Sequence, residues 1–140
     1  MERDFTEKAF EAVNEQQLHS VLSFLEEELE KHGAGLKVVQ QLDLALEEAF
    51  INVAKYAYEG KPVGSASVSL SFEDDEVTIC LKDTGMEFDP TAKEDPDTNA
   101  KMEDRQIGGL GIYMIKKMVD SFEYERVNGY NVLTMKKKYK

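Results

Sequence analysis

The chain has 140 residues, the size of one ordinary domain. Its 28 acidic side chains exceed the 17 basic ones and give a net charge of −11, which disfavours a nucleic-acid partner because the phosphate backbone would be repelled. The single cysteine, Cys80, excludes an internal disulfide and a multi-cysteine metal site. The charged first ten residues and the lack of a long apolar segment predict no signal peptide, no membrane contact and a soluble cytoplasmic protein.

Hydrophobic spacing predicts a short strand and two helices in the first half of the chain. The strand candidate covers residues 3–9, and helical spacing runs over residues 14–32 and again over 36–57. A glycine at 33 suits the end of the first helix, and Gly60, Pro62 and Gly64 follow the second. Each helix therefore has one apolar face for a core. The two faces comprise Leu18, Val21, Leu22, Leu25 and Leu29, and Val38, Leu42, Ala45, Leu46, Ala49, Phe50 and Val53.

The second half of the chain predicts two hairpins, a long loop and a short helix. Alternating residues 66–72 and 77–81 flank a polar turn, and Asn128-Gly129 joins strands at 122–127 and 132–138. Residues 88–106 have no sustained period, as in a functional lid or a disordered loop, and a helix starts near Leu110. This order predicts an α+β fold in a single domain, 1–140. We expect a two-layer α/β sandwich whose mainly antiparallel mixed sheet is covered on one face by helices.

Two polar side chains flank the apolar face of the second helix. Glu48 and Asn52 are one turn apart and about 40° apart around the helix, whereas Glu47 points to the solvent side. The amide oxygen could ligate a metal ion while the carboxylate faces a reacting proton. A solvated glutamate and a helix-surface asparagine are the ordinary alternative for this pair alone.

Asp83 stands at the end of an apolar strand face. It is in phase with Val77, Ile79 and Leu81, so the strand directs it at the core. A buried carboxylate needs hydrogen-bond donors, and the exocyclic amine of a ligand base would supply one. Gly85 would let the backbone approach a ring closely. The alternative is a strand-ending aspartate that makes its own turn.

Three glycines, Gly108, Gly109 and Gly111, lie where the long loop meets the last helix. Such glycines free backbone N–H groups to face an anion, and the dipole of a helix N-terminus adds to this. A dinucleotide-binding fingerprint fits poorly, because the motif follows a loop and has Met114 in place of a third glycine. A Walker loop is excluded by the lack of Gly-Lys-Ser/Thr. A plain glycine hinge is the alternative.

Together the segments form an ordered pattern: Glu-x-x-x-Asn on a helix, Asp-x-Gly after a strand, a long lid, and Gly-Gly-x-Gly at a helix start. This pattern resembles the GHKL ATPase superfamily with its Bergerat ATP-binding fold. More closely, it resembles the stand-alone bacterial anti-sigma factor serine/threonine kinases. The most specific segments are LEEAFINVAKYAY and IGGLGIYMIKKMVD, and the resemblance covers roughly residues 5–138.

The resemblance implies ATP and Mg²⁺ as cofactors. Asn52 would hold Mg²⁺ against the phosphates, and Glu48 would be the general base for a serine hydroxyl. Asp83 would accept the adenine amino group, with Gly85 beside the ring. The remaining implied contacts are to phosphate by Lys55, Arg105, Gly108, Gly109 and Gly111, and to adenine through water by Thr134.

The resemblance also implies a function. The expected protein is a kinase that phosphorylates a STAS-type anti-anti-sigma partner, sequesters a sigma factor and forms a homodimer. A nucleotide-dependent binding switch without phosphoryl transfer is one alternative, and a detached catalytic module of a phosphorelay is another. The chain carries no phosphoacceptor-histidine segment, which argues against a complete sensor histidine kinase.

Overall fold

The computed structural model describes residues 6–10, 15–53, 66–85 and 107–140. Its elements follow the predicted order. They are β1 (Thr6–Phe10), α1 (Glu15–Lys31), α2 (Leu36–Asn52), β2 (Ala66–Glu73), β3 (Glu76–Asp83), α3 (Ile107–Met118), β4 (Ser121–Val127) and β5 (Tyr130–Lys138). No helix within these ranges is long and apolar enough to span a membrane.

The described strands form one sheet in the order β1-β2-β3-β5-β4, and each neighbouring pair is antiparallel. Two-residue turns close both predicted hairpins. Asp74 and Asp75 have φ of 51° and 64°, and Asn128 and Gly129 have φ of 49° and 85°. Positive φ at both central positions matches the turn that follows the right-handed twist of paired strands. The predicted hairpins and the mainly antiparallel sheet are confirmed.

The helices cover one face of this sheet, which confirms the predicted two-layer sandwich. The predicted apolar faces of α1 and α2 supply one side of the core, although Leu18, Leu22 and Val38 are only partly buried. The sheet supplies the other side through alternate positions of β2, β3 and β5. Each fully buried leucine or isoleucine stabilises the fold by roughly 1.5–3 kcal/mol. The sheet residues of the core include Val68, Leu70, Val77, Ile79, Leu81, Leu133 and Met135.

α3 differs from its prediction, because it begins at Ile107 rather than near Leu110. Its buried face includes Ile112 and Ile115, the buried Val119 follows its last residue, and the helix packs against α2. Glycine lowers helix propensity by about 1 kcal/mol per residue relative to alanine, which is why the sequence favours a later start. Burial of the apolar face outweighs that local preference. The predicted continuation of α2 over 54–57 falls in a part of the chain that the structure does not describe.

Asp83 lies at one end of the sheet. In register, Asp83 of β3 lies between Ala66 of β2 and Asn131 of β5. α3 is followed almost at once by Ser121, which pairs with Lys136 at the opposite end of the sheet. The C-terminus of α3 is therefore near that opposite end.

Three aromatic rings close the opposite end. The His32 ring stacks on Phe72 with centroids 3.6 Å apart and planes 2° apart. Tyr139 meets both rings edge-on, at 6.4 Å from His32 and 5.5 Å from Phe72. Its backbone N–H also donates to the carbonyl of Asp75 in the β2–β3 turn, at 2.9 Å. The end of α1, the first hairpin and the last residues of the chain are thus held together.

Candidate active site

Asp83 is a buried carboxylate with one occupied and one unoccupied oxygen. It is 1% exposed. Its Oδ1 accepts the backbone N–H of Gly85 at 2.8 Å and Nδ2 of Asn131 at 3.0 Å. Its Oδ2 is buried and has no hydrogen-bond partner among the described residues. The structure therefore shows that the aspartate makes its own turn through Oδ1, and the binding of a ligand base at Oδ2 stays a prediction.

The electrostatics of Asp83 favour a ligand that donates a hydrogen bond. Burial raises the pKa of its carboxyl group, while the hydrogen bonds from Asn131 and Gly85 and the charge of Arg126 oppose that rise. A buried acceptor without a partner costs about 1–3 kcal/mol. An amine that reached Oδ2 would remove that cost and stabilise the ionised carboxylate.

Behind Asp83 lies a polar network that the sequence analysis missed. Oδ1 of Asn131 accepts the Tyr124 hydroxyl at 2.6 Å and Nη1 of Arg126 at 3.0 Å. The same Nη1 donates to the carbonyl of Gly85 at 2.8 Å. Asn131 is 2% exposed, in phase with the core residues of β5. The sequence does show that Asn131 is a polar residue in phase with the apolar face of its strand. Its partner, Asp83, could not be identified from the sequence because the pairing depends on strand register.

The structure corrects the assignment of Thr134. This residue lies opposite Cys80 of β3 and Glu123 of β4. Because side chains alternate along a strand, Thr134 is on the other face of the sheet from Asp83. Asn131, and not Thr134, is the residue of β5 that lies opposite Asp83.

Asn52 and Glu48 are one turn apart on α2, as predicted. Asn52 is 4% exposed, so the helix-surface alternative is wrong for this residue, whereas Glu48 is half-buried. Nδ2 of Asn52 donates to the carbonyl oxygen of Glu48 at 2.8 Å. This bond fixes the carboxamide and leaves Oδ1 as its acceptor atom, the atom type that binds a hard cation.

Glu47 is half-buried, which corrects the prediction that it points to solvent. It belongs to an acidic cluster of Asp43 and Glu47 on α2 and Glu26 on α1. Burial, a hydrogen bond with Glu26 and the charges of Glu26 and Glu47 raise the pKa of Asp43 to about 8. Glu47 is shielded from solvent because α1 packs beside this flank of α2.

The glycine segment lies within α3 rather than before it. Gly108 and Gly109 are in the first turn, where backbone N–H groups have no acceptor inside the helix. Gly111 is the fifth residue of α3, so its N–H donates within the helix and is not available to an anion. Gly111 could help a bound anion only by leaving room for it, because glycine has no side chain. Lys55, Arg105 and the predicted lid at 88–106 belong to segments left undescribed.

Residues 10–137 match the family model described as the histidine kinase-like ATPase domain. The serine-protein kinase RsbW of Listeria monocytogenes is 28% identical over 108 residues, which are 74% of this chain and 69% of that protein. RsbW of Bacillus pumilus is 31% identical over 104 residues, covering 70% of this chain and 64% of the relative. The serine/threonine-protein kinase BtrW of Bordetella bronchiseptica is 28% identical over 94 residues, 67% and 66% of the two chains.

The fold also matches a solved structure. The crystal structure of the RsbU and RsbW domains of a Mycobacterium tuberculosis protein superposes with a TM-score of 0.66 at 16% identity. The match covers 95% of this chain and 32% of that longer one. The predicted resemblance to anti-sigma factor kinases, the predicted fold and the predicted enzyme class, protein serine/threonine kinase, are confirmed by these relatives. The chain belongs to the histidine kinase-like ATPase domain family.

Proposed function

We propose that this protein is an ATP-dependent anti-sigma regulatory factor that phosphorylates a serine of a STAS-type anti-anti-sigma partner. The observation that carries the proposal is Oδ2 of Asp83, a buried acceptor with no hydrogen-bond partner among the described residues. Serine-protein kinases among the relatives support the reaction type.

The base of ATP would be recognised at the end of β3. Oδ2 of Asp83 would accept the exocyclic amine of adenine, and the missing side chain of Gly85 would leave room for the ring. This fit rests on the burial of Asp83 and on the occupation of its Oδ1 by two donors.

The polyphosphate would be held between α2 and α3. Oδ1 of Asn52 is the acceptor available for Mg²⁺, and the first-turn N–H groups of Gly108 and Gly109 suit an anion. Lys55 and Arg105 are proposed as further phosphate contacts. Magnesium bound with ATP would neutralise the charge that develops on the phosphates.

Glu48 is proposed as the general base. It is half-buried one turn before Asn52, so a substrate hydroxyl near the metal-bound phosphates would be within its reach. Glu48 would take the proton of the serine hydroxyl while that oxygen accepts the phosphoryl group and ADP leaves. Proton transfer of this kind contributes roughly 10²–10⁴-fold to a rate.

The remaining parts of the proposal follow the family resemblance. We propose one domain over residues 1–140 with a lid at about 88–106, a homodimer, and a cytoplasmic location. The proposed protein partners are a STAS-domain protein and a sigma factor.

Phosphoryl transfer to a purified STAS-domain protein tests the proposal. With labelled ATP and Mg²⁺, we expect an acid-stable phosphoserine product. Glu48→Gln should bind ATP normally and lose transfer, whereas Glu123→Gln, on the exposed face of β4, should transfer at the wild-type rate. ATP and sigma-factor binding without transfer would favour the binding switch, and an acid-labile phosphohistidine would favour the phosphorelay module.

A further inference from the structure

We propose that Asn131 is a positioning residue that occupies Oδ1 of Asp83 and thereby leaves Oδ2 as the only acceptor for the exocyclic amine of a nucleotide base. The inference rests on the proposed function, since it assigns a role to a residue behind the proposed adenine contact.

The first step is the saturation of one carboxylate oxygen. Oδ1 of Asp83 accepts two hydrogen bonds, from Gly85 N–H at 2.8 Å and from Asn131 Nδ2 at 3.0 Å. A carboxylate oxygen has two lone pairs, so these donors fill Oδ1. A ligand donor must therefore use Oδ2, and the orientation of the carboxylate is fixed by bonds that the ligand does not make.

The second step is the fixed orientation of the Asn131 carboxamide. Its Oδ1 accepts from the Tyr124 hydroxyl at 2.6 Å and from Arg126 at 3.0 Å. A flipped amide would bring Nδ2 against both donors and an oxygen against the Asp83 carboxylate. The Tyr124 hydroxyl can also accept, but the flip would lose the bonds to Arg126, which can only donate, and to the Asp83 carboxylate, which can only accept. The observed orientation, with Nδ2 towards Asp83, is therefore favoured.

Arg126 connects the two donors of Asp83. The same Nη1 that holds Asn131 also donates to the carbonyl of Gly85 at 2.8 Å. The exposed Arg126 therefore holds both groups that donate to Asp83, the backbone at Gly85 and the side-chain amide of Asn131.

The network also opposes protonation of Asp83. Burial raises the pKa of Asp83, and the hydrogen bonds from Asn131 and Gly85 and the charge of Arg126 limit that rise. A protonated Oδ2 would be a donor, which would suit a base with a carbonyl group at the contact and not one with an amine. The expected ligand class is therefore a 6-aminopurine nucleotide, with rejection of 6-oxopurines.

The test uses the full chain, ATP, GTP and an ATP analogue whose purine lacks the 6-amino group. We expect the wild type to bind ATP at least about tenfold more tightly than the analogue, the effect of one buried hydrogen bond to a charged group. Asn131→Leu should reduce this preference to within about twofold and narrow the gap between ATP and GTP. Removing the Asn131 hydrogen bond should also raise the pKa of Asp83, so Asn131→Leu should lose ATP affinity at a higher pH than the wild type does. Val132→Thr, one position along β5 on the other sheet face, should keep the wild-type preference.

Arg126→Met is the second variant, because an exposed side chain can be replaced with little risk to the core. It should weaken the preference for the amine and shift the pH profile in the same direction as Asn131→Leu. Wild-type preference and pH profile in the folded variants would overturn the role of Asn131 while the proposed ATP site stands. A wild type that binds ATP and the analogue equally, or neither, would overturn both.

Discussion

Replacing Asp43 with asparagine should stabilise the protein at neutral and alkaline pH. In the folded chain the pKa of Asp43 is raised from 3.8 to about 8 by burial, by a hydrogen bond with Glu26 and by the charges of Glu26 and Glu47. The folded chain therefore binds a proton at Asp43 more tightly than the unfolded chain does. The stability that this proton adds to the folded chain is fully present below pH 4 and is lost as the pH rises towards 8.

The magnitude follows from proton linkage. Each pH unit between the unfolded and folded pKa values costs 1.36 kcal/mol, which sets an upper limit of about 5 kcal/mol at pH 8. Asp43 is only half-buried, and water screens its charge, so we expect about 1–2 kcal/mol. Asparagine can donate to Glu26 as the protonated acid does, but it cannot ionise. Asp43→Asn should gain this energy at pH 8, roughly 3–6 °C in melting temperature, and little at pH 4.

Thermal and urea unfolding between pH 4 and pH 9 would measure the difference. Glu27→Gln is the matched control, since Glu27 is exposed on α1 next to Glu26 in the sequence. It should change the free energy of unfolding by less than about 0.5 kcal/mol at any pH in this range. A gain in Asp43→Asn that is the same at every pH, or a loss at pH 8, would refute the reasoning.

Three further predictions concern the proposed site. Asp83→Asn, which keeps the shape but can present a donor where Oδ2 accepts, should lower ATP affinity by at least about tenfold in calorimetry, and unchanged affinity in a folded variant would remove Asp83 from the site. Asn52→Ala should lose the Mg²⁺-dependent part of ATP affinity, whereas Glu48→Ala should keep it and lose phosphoryl transfer by roughly 10²–10⁴-fold, as equilibrium binding and transfer rates would report. Amides of residues 88–106 should gain protection from hydrogen exchange when Mg²⁺-ATP is added, and equal exchange in both states would argue against a lid.

The element order and the apolar faces were predictable because both depend on local spacing. Leu25 and Leu46 are buried as helical periodicity requires, and Asn128-Gly129 forms its turn from local backbone preference alone. The start of α3 was not predictable from propensity, because burial of Ile112 and Ile115 opposes the preference of the glycines.

The partners of the site residues depend on register and helix packing, which a single sequence does not specify. Asp83 was identified from strand phase, but Asn131 could be paired with it only once β3 and β5 were in register. For the same reason, the adenine contact that the resemblance implied for Thr134 could not be checked until the register showed that Thr134 lies on the other face of the sheet from Asp83. The half-burial of Glu47 follows from where α1 packs along α2, a contact between residues about 20 positions apart.

The ring cluster of His32, Phe72 and Tyr139 has a consequence for synthesis on the ribosome. Tyr139 is 9% exposed, and its two ring partners, His32 and Phe72, precede it by 107 and 67 residues in the sequence. β5, which pairs with both β3 and β4, also ends within two residues of it. The nascent chain cannot close this end of the core until Tyr139 has left the exit tunnel. Until then Phe72 lacks one of its two ring partners, so this end of the first hairpin can be fully packed only after β5 has been synthesised.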